Sequence, residues 1–345
     1  MKKLFVAIVA LLCLSLFLPA AFAGDPEACF QPTLRVGVAF DIQPPLYSFV
    51  RNTGTFGGIT STDLNTNADG TVRPYLALSL PFAVTDRFKV ALEGDWSFTG
   101  SERRLDEQFN GGVAAREFDS DGTSHWVSAD FLVSYALVKD APVIKDLSVV
   151  AGLRWDYQTM SFADAHDAFG VLSSPANTLD FRMQSLAPVA GLACTFTGLK
   201  RGIWGGDIHL SVLAGPVVWG REDYRETFGN AGVITYRGDI DRGYLVRAFG
   251  DLTLLSGKIS PRLDGTVSFF AQFTKTNVKG EVDGTLLGLG GPSFSPVDFE
   301  ADNTVMVLGL SATLLFDICG RPQPVTPPPA PAPVIEPKLE PMSQK

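Results

Sequence analysis

Residues 127–137 read VSADFLVSYAL, and every second residue of this stretch is apolar. One side of an extended chain would carry Val127, Ala129, Phe131, Val133, Tyr135 and Leu137. Asp130 and Ser134 fall on the other side. A period of two residues predicts a β-strand with one face toward an apolar environment and the other toward polar groups.

The same alternation recurs in nine further segments, so the sequence predicts ten strands. The segments are 34–42, 76–82, 88–98, 147–157, 179–197, 208–214, 244–254, 263–273 and 306–316. The phase is unclear in 179–197, where we expect a β-bulge. The intervening residues carry charges of both signs, for example Arg154 and Asp156, and no long stretch has the periodicity of a helix.

The N-terminus has the three parts of a secretory signal. Lys2 and Lys3 precede an apolar run over 4–18, and AAFA ends at Ala23 with the small residues of a cleavage site. Loss of the two lysines changes the formal net charge from −9 to −11, which argues against nucleic acid as a partner. We therefore predict a signal peptide at 1–23, a barrel domain at 24–320 and a proline-rich tail at 321–345.

An export signal, an even strand count and connections of alternating length favour a membrane barrel over a soluble sandwich. The predicted short connections are 84–87, 139–146, 199–206 and 256–261, and the long ones are 43–71, 100–124, 160–178, 220–238 and 275–302. The predicted fold is all-β: a ten-stranded antiparallel transmembrane β-barrel in the outer membrane of a Gram-negative bacterium. Short turns and both termini would be periplasmic, and long loops extracellular.

Aromatic residues near the predicted strand ends fit an interfacial girdle. They are Trp96, Trp126, Trp155, Tyr157, Trp204 and Trp219. The expected partners of such a barrel are outer-membrane lipid and lipopolysaccharide. The tail RPQPVTPPPAPAPVIEPKLEPMSQK carries nine prolines and cannot pair in a sheet. It is either a mobile periplasmic spacer or a docking peptide for a periplasmic partner.

Three cysteines would remain after processing. Cys29 precedes the first predicted strand and Cys319 follows the last, and closing a barrel makes those two strands neighbours. We predict a disulfide between Cys29 and Cys319 in the oxidising periplasm, with two free thiols as the alternative. Cys194 has no predicted partner.

No metal or cofactor site is predicted. Asp63, Asn65, Asn67 and Asp69 have the spacing of a calcium loop, but Leu76 stands where a bidentate glutamate is needed. His166 lies between Asp164 and Asp167, where an acid and an imidazole could activate a water molecule. A solvated cluster of loop charges is the competing interpretation of His166.

Several segments resemble the omptins, a family of ten-stranded outer-membrane proteases, in order and spacing. These segments are FKVALEGDWSFTGSERRLDEQF, GLRWDYQTMSF, SLAPVAGLACTF, GGDIHLSVLAGPVVWGREDYRE and VITYRG, within roughly residues 32–317. The family uses two acids on one loop and an Asp–His pair opposite. The resemblance puts Asp106 at the first acid and Gln108 at the second, while Arg221 and Asp223 replace the Asp and His, with Tyr224 following.

Because three of four catalytic identities differ, the leading hypothesis is a non-enzymatic outer-membrane barrel of omptin-like shape, with a structural, surface-interaction or adhesin role. A divergent surface endopeptidase would use Asp106, Glu222, Asp223 and His166 at the rim. A narrow small-solute porin is the third hypothesis, although paired charges could plug so small a lumen.

Overall fold

The chain forms a single antiparallel sheet without helices over the residues that the structure describes. This computed structural model describes residues 29–51, 61–67, 72–110, 113–167, 177–198, 204–228, 233–287 and 293–316. Within these ranges no helix has the length and apolar character needed to cross a bilayer. The signal peptide, the proline-rich tail and Cys319 lie outside them, so the disulfide from Cys29 stays a prediction.

Thirteen strands are formed within these ranges. They are β1 (Cys29–Phe30), β2 (Thr33–Arg51), β3 (Ser61–Asn67), β4 (Val72–Ala83), β5 (Phe88–Asn110), β6 (Val113–Lys139), β7 (Ile144–Asp167), β8 (Asn177–Phe196), β9 (Ile208–Val217), β10 (Trp219–Phe228), β11 (Val233–Ser260), β12 (Leu263–Leu287) and β13 (Ser293–Phe316). We call the end with the short connections 84–87, 140–143 and 261–262 the lower end.

The sheet closes on itself. β2 and β13 pair antiparallel, and the Phe316 amide donates to the Pro32 carbonyl at 2.9 Å at the lower end of this seam. β3 and β4 both pair with β2 on one side and with β5 on the other. In the same way, β9 and β10 both pair with β8 and β11. The pairings therefore form a continuous ring.

The outer surface of the lower half is apolar, as the alternation predicts. Exposed large apolar side chains are contributed by strands all around the ring, including Val38, Phe40, Leu76, Phe131, Tyr135, Leu153, Leu210, Leu252, Phe269 and Leu310. Their sequence neighbours, such as Arg154 and Asp130, are buried in the interior. One residue of the predicted girdle is an exception, because Trp126 packs inward against the buried cluster around Tyr75 and Phe270. Trp126 is two residues from Ser128 and four from Asp130 on the same strand, so its side chain lies on the same interior face.

The long loops predicted at the other end are largely strand. Residues 100–124 form most of the upper β5–β6 hairpin, and 275–302 form that of β12 and β13. β11 has 28 residues, whereas about 9–11 cross a bilayer. The prediction failed because these segments are rich in charged residues, which resembles a polar loop, although their backbones are paired as strands.

The interior of the upper half is largely apolar, with Glu222 as a buried charged residue, and this reverses the arrangement below. A cluster that we call the upper core is fully or nearly fully buried: Met160, Phe162, Leu179, Phe181, Met183, Tyr224, Tyr236, Ile240, Val278, Val282 and Phe299. The outward residues between them are charged or polar, as Arg182 and Lys279 show. The upper barrel thus has its apolar side chains inside and its polar side chains outside, as a soluble protein does. The lower barrel has the reverse distribution, which is typical of a membrane barrel.

Phe181→Ala tests the upper core. Phe181 is 0% exposed, whereas its neighbour Arg182 points outward. We expect Phe181→Ala to lower the free energy of unfolding by about 3–5 kcal/mol. The matched variant Arg182→Ala should change it by less than about 0.5 kcal/mol. Urea titration of the refolded protein in micelles measures both, and equal losses would contradict the assignment of the two faces.

Candidate functional site

The residues proposed for a rim site lie on three strands of the upper half. Glu222 and Asp223 are adjacent on β10, which is separated from β5 by β6, β7 and β8. The backbone of Asp106 lies on β5 opposite Leu64 and Phe118. The backbone of His166 lies on β7 opposite Asp119. The side chains of Asp106 and His166 fall outside the described part of the molecule.

An extra residue at Val218 decides which way the β10 side chains point. Ala214 pairs with Ala190 of β8, but Trp219 pairs with Leu186. Five steps along β9–β10 therefore match four along β8, which is a β-bulge. The β8 residues from Thr178 to Thr195 pair with β7 without interruption, so the extra residue expected within 179–197 lies instead in the neighbouring strands. Neighbouring β11 has a matching irregularity between Ile240 and Arg242.

This bulge turns Asp223 away from the interior. Inward positions are odd-numbered from His209 to Val217 but even-numbered after it, at Glu222 and Tyr224. Arg221 and Asp223, the two positions that the omptin resemblance matches to the catalytic pair, therefore lie on the outer surface. There Asp223 forms ion pairs with Arg237 at 3.1 Å and with Arg221 at 3.8 Å. The structure does not bring Glu222 and Asp223 together on one face.

Glu222 is enclosed by the barrel. Its residue exposure is 1%, and its cross-strand neighbours are Met183 and Gly238. The next inward side chain is Tyr224, whose ring contacts Tyr236 edge-on at 5.9 Å between centroids. A carboxyl group in this setting could exchange a proton only with a partner inside the same enclosure, because a general acid or base acts over hydrogen-bond distance.

A charged layer crosses the lumen below the upper core. Arg154 donates to Asp130 at 2.8 Å, and its Nη2 lies 2.8 Å from Asp156. Arg247, from β11, donates to the same Asp130 oxygen at 3.1 Å and to Asp95 at 3.4 Å. The side chains of Arg154 and Asp130 are each 1% exposed. This arginine layer therefore links β5, β6, β7 and β11 through groups that have lost nearly all contact with bulk water.

Two further contacts lie beside and above the arginine layer. Arg35 of β2 pairs with Asp251 at 2.9 Å, and its guanidinium lies 5.2 Å from the centroid of Phe249. One level higher, Asn303 donates to Gln158 at 3.0 Å, and both side chains are buried. The sequence predicts inward charges of both signs. It does not specify these partners, since they lie on strands far apart in the chain.

The outer surface of the upper half carries exposed ion pairs. Lys279 donates to Glu300 at 2.7 Å and Lys275 lies 3.3 Å from Asp302, both between β12 and β13. The hydrogen bond from Lys279, with a second from Asn277, lowers the pKa of the Glu300 carboxyl below its ordinary value. Because these groups are in contact with water, each such pair contributes little to stability.

Two further groups lie in the lower half, one inside the lumen and one outside it. His209 faces inward within 3.2 Å of the Thr195 hydroxyl. Cys194 lies opposite Leu210 on the neighbouring strand, at a position whose side chain faces outward. It is a free thiol in the described structure. Among the described residues, no group of three or more His, Cys, Asp or Glu side chains is arranged to hold a metal ion.

The fold has similar solved structures. No family model and no curated protein matches the chain. The crystal structure of the outer membrane protease OmpT from Escherichia coli matches with a TM-score of 0.60 and 13% identity, over 83% of this chain and 96% of that one. The outer membrane protein OprG from Pseudomonas aeruginosa matches at a TM-score of 0.30 and 10% identity, over 83% and 97% of the two chains. The likeness to OmpT confirms the predicted resemblance to the omptins at the level of the fold, which is that of an outer-membrane β-barrel.

Arg154→Met tests whether the arginine layer holds the barrel together. The variant keeps the side-chain bulk but leaves Asp130 and Asp156 without their main counter-charge, so we expect a loss of about 3–5 kcal/mol in the free energy of unfolding. Lys145→Met removes a partner from the exposed pair with Asp207 and should cost less than about 1 kcal/mol. Urea titration measures both, and a neutral Arg154→Met would show that the layer is dispensable.

Proposed function

We propose that the chain is a non-enzymatic outer-membrane protein whose closed barrel presents a rigid β-structure at the cell surface, in a structural, surface-interaction or adhesin role. The observation that carries this proposal is the closed interior. The arginine layer crosses the lumen in the lower half, and the upper core closes the lumen above it. A barrel that is closed at these two levels offers its outer surface and its upper end for interaction.

We infer a barrel of ten membrane-crossing positions. Since β3 and β4 occupy one place in the ring and β9 and β10 another, the ring β2, β3/β4, β5, β6, β7, β8, β9/β10, β11, β12, β13 has ten places. The interruptions inside these two places explain the larger number of separate strands. β1 pairs only with β4, at the lower end.

The apolar outer surface supports a bilayer around the lower half. On β13, the outward side chains from Met306 to Phe316 are apolar over eleven residues. At about 3.3 Å per residue and a tilt of about 45°, this corresponds to a height of about 25 Å, the value for outer-membrane barrels. We place the lower end and both termini in the periplasm and the upper end outside the cell. Outer-membrane lipid and lipopolysaccharide would then surround the barrel, and the 321–345 tail would be free to meet a periplasmic partner.

The proposal excludes solute conduction and peptide cleavage for physical reasons. A porin needs a continuous aqueous path, whereas Arg154, Thr274, Leu245 and Val278 are each at most 1% exposed at successive interior levels. An endopeptidase of the omptin kind needs its acids to meet at one water-filled cleft. Asp223 faces outward and Glu222 inward, which argues against a shared site on β10.

The closed lumen predicts an electrically silent barrel. In planar bilayers, the refolded protein should show no discrete conductance steps, because ions cannot cross the buried layer without displacing it. A general porin refolded and inserted in the same way provides the positive control. Reproducible single-channel steps from pure protein would overturn the closed-barrel proposal.

The outward position of Asp223 predicts that the protein does not cleave peptides. Incubation of the refolded protein in lipopolysaccharide-containing micelles with a fluorogenic peptide library should release no more fluorescence than micelles alone. The same assay with Asp106→Ala and Asp223→Ala serves as the control. Cleavage by the unmodified chain that either substitution abolishes would contradict the proposal and support the endopeptidase alternative.

A further inference from the structure

A cavity of about 390 Å³ lies inside the lower half, beneath the arginine layer. Its wall includes Asp95 and Arg247 at the upper side and Lys89 and Asp146 toward the lower end. Its volume is within the range of sites for small molecules. Because the arginine layer closes it above, a ligand would enter from the lower end.

The charged groups of the cavity wall are matched, with one exception. Arg35 pairs with Asp251 at 2.9 Å, Lys89 with Asp146 at 3.3 Å, and Arg247 with Asp95 at 3.4 Å. The remaining carboxylate is Glu93. The Ser79 hydroxyl donates to its Oε1 at 3.3 Å, and no cation of the described residues lies within 4.0 Å of this carboxylate.

An unmatched carboxylate inside a barrel calls for a counter-charge. Glu93 is partly exposed to the cavity. A carboxylate in a narrow lumen is more stable when it is paired, and a single hydroxyl donor is a weak substitute for a cation. The cavity beside Glu93 has room for that cation. A divalent metal is a poor candidate, because it requires several oxygen ligands and the described residues contain no such group.

The rest of the wall indicates the chemistry of the cation. Ala91, Leu132, Val150, Ala193 and Leu213 line the space between the charged groups. Apolar walls favour a ligand with a short hydrocarbon body, and the carboxylate and hydroxyl favour a group with several N–H donors. We propose that this cavity binds a small aliphatic primary ammonium ion, with the ammonium on Glu93 and the hydrocarbon portion against these apolar side chains.

The test measures binding of n-butylammonium chloride to the refolded full chain in non-ionic micelles, by calorimetry and by the rise in melting temperature. Equimolar n-butanol is the neutral control for general effects of the hydrocarbon. We expect saturable binding of the ammonium and none of the alcohol. Glu93→Gln removes the charge with little change in shape and should weaken binding at least about tenfold, as the loss of a charge-assisted hydrogen bond implies.

Two further variants distinguish binding in the cavity from other effects on the protein. Glu281→Gln removes an exposed carboxylate from the outer surface and should leave binding unchanged. Ala91→Leu fills the cavity while keeping Glu93, and should abolish binding even if Glu93→Gln refolds poorly. The proposal is overturned if the unmodified chain does not bind the ammonium, if butanol binds as well, if Glu93→Gln binds as tightly as the unmodified chain, or if binding survives Ala91→Leu. A proton held by Glu93 in place of a ligand would give the first of these results.

Discussion

The hydrogen bonds between β2 and β13 are the interaction on which the rest of the structure depends. A sheet with free edges would leave rows of backbone N–H and C=O groups without partners, which a hydrocarbon environment penalises by several kcal/mol per group. Pairing the first long strand with the last removes both edges. Closure also gives every strand an inside and an outside, so that each successive residue is assigned to one or the other.

The two halves of the barrel use that assignment in opposite ways. In the lower half the outside is apolar and the inside is charged, and buried charges such as Arg154 and Asp130 require partners across the lumen. In the upper half the outside carries ion pairs such as Lys279 with Glu300, and Phe181 and Leu179 fill the inside. The same ring of backbone hydrogen bonds therefore encloses a polar interior below and an apolar one above. Both interiors close the lumen, the lower one through ion pairs and the upper one through apolar packing.

Much of this architecture follows from local sequence, because a period of two residues is visible in any window. The stretch 127–137 identifies a strand and the face of Asp130 without knowledge of the fold. What the sequence does not reveal is where the period slips. Val217, Val218 and Trp219 are all apolar, so an inserted residue leaves no trace in the pattern. The resemblance of this segment to the omptins therefore does not show on which face Arg221 and Asp223 lie.

The ion-pair partners inside the lumen could not be predicted from local sequence either. Arg247 and Asp130 are separated by 117 positions in the chain and meet only because the ring brings β6 and β11 to face each other. The upper strands were mistaken for loops for a related reason. A strand in water with an apolar inner face has the opposite polarity from a strand in lipid, and charged residues such as Arg225 and Arg237 suggest a loop unless the inner positions are recognised as a core.

The bulge at Val218 makes β10 unequally sensitive to changes in chain length. Val218 and Trp219 both face outward, between the inward residues Val217 and Gly220. Loss of the single codon for Val218 would therefore restore strict alternation and leave Glu222 and Tyr224 inside the barrel. Loss of a residue from the regular part of β10 would instead move every later side chain of the strand to the opposite face. The extra residue is thus the one position in this part of the wall where the chain can be shortened without exchanging the two surfaces.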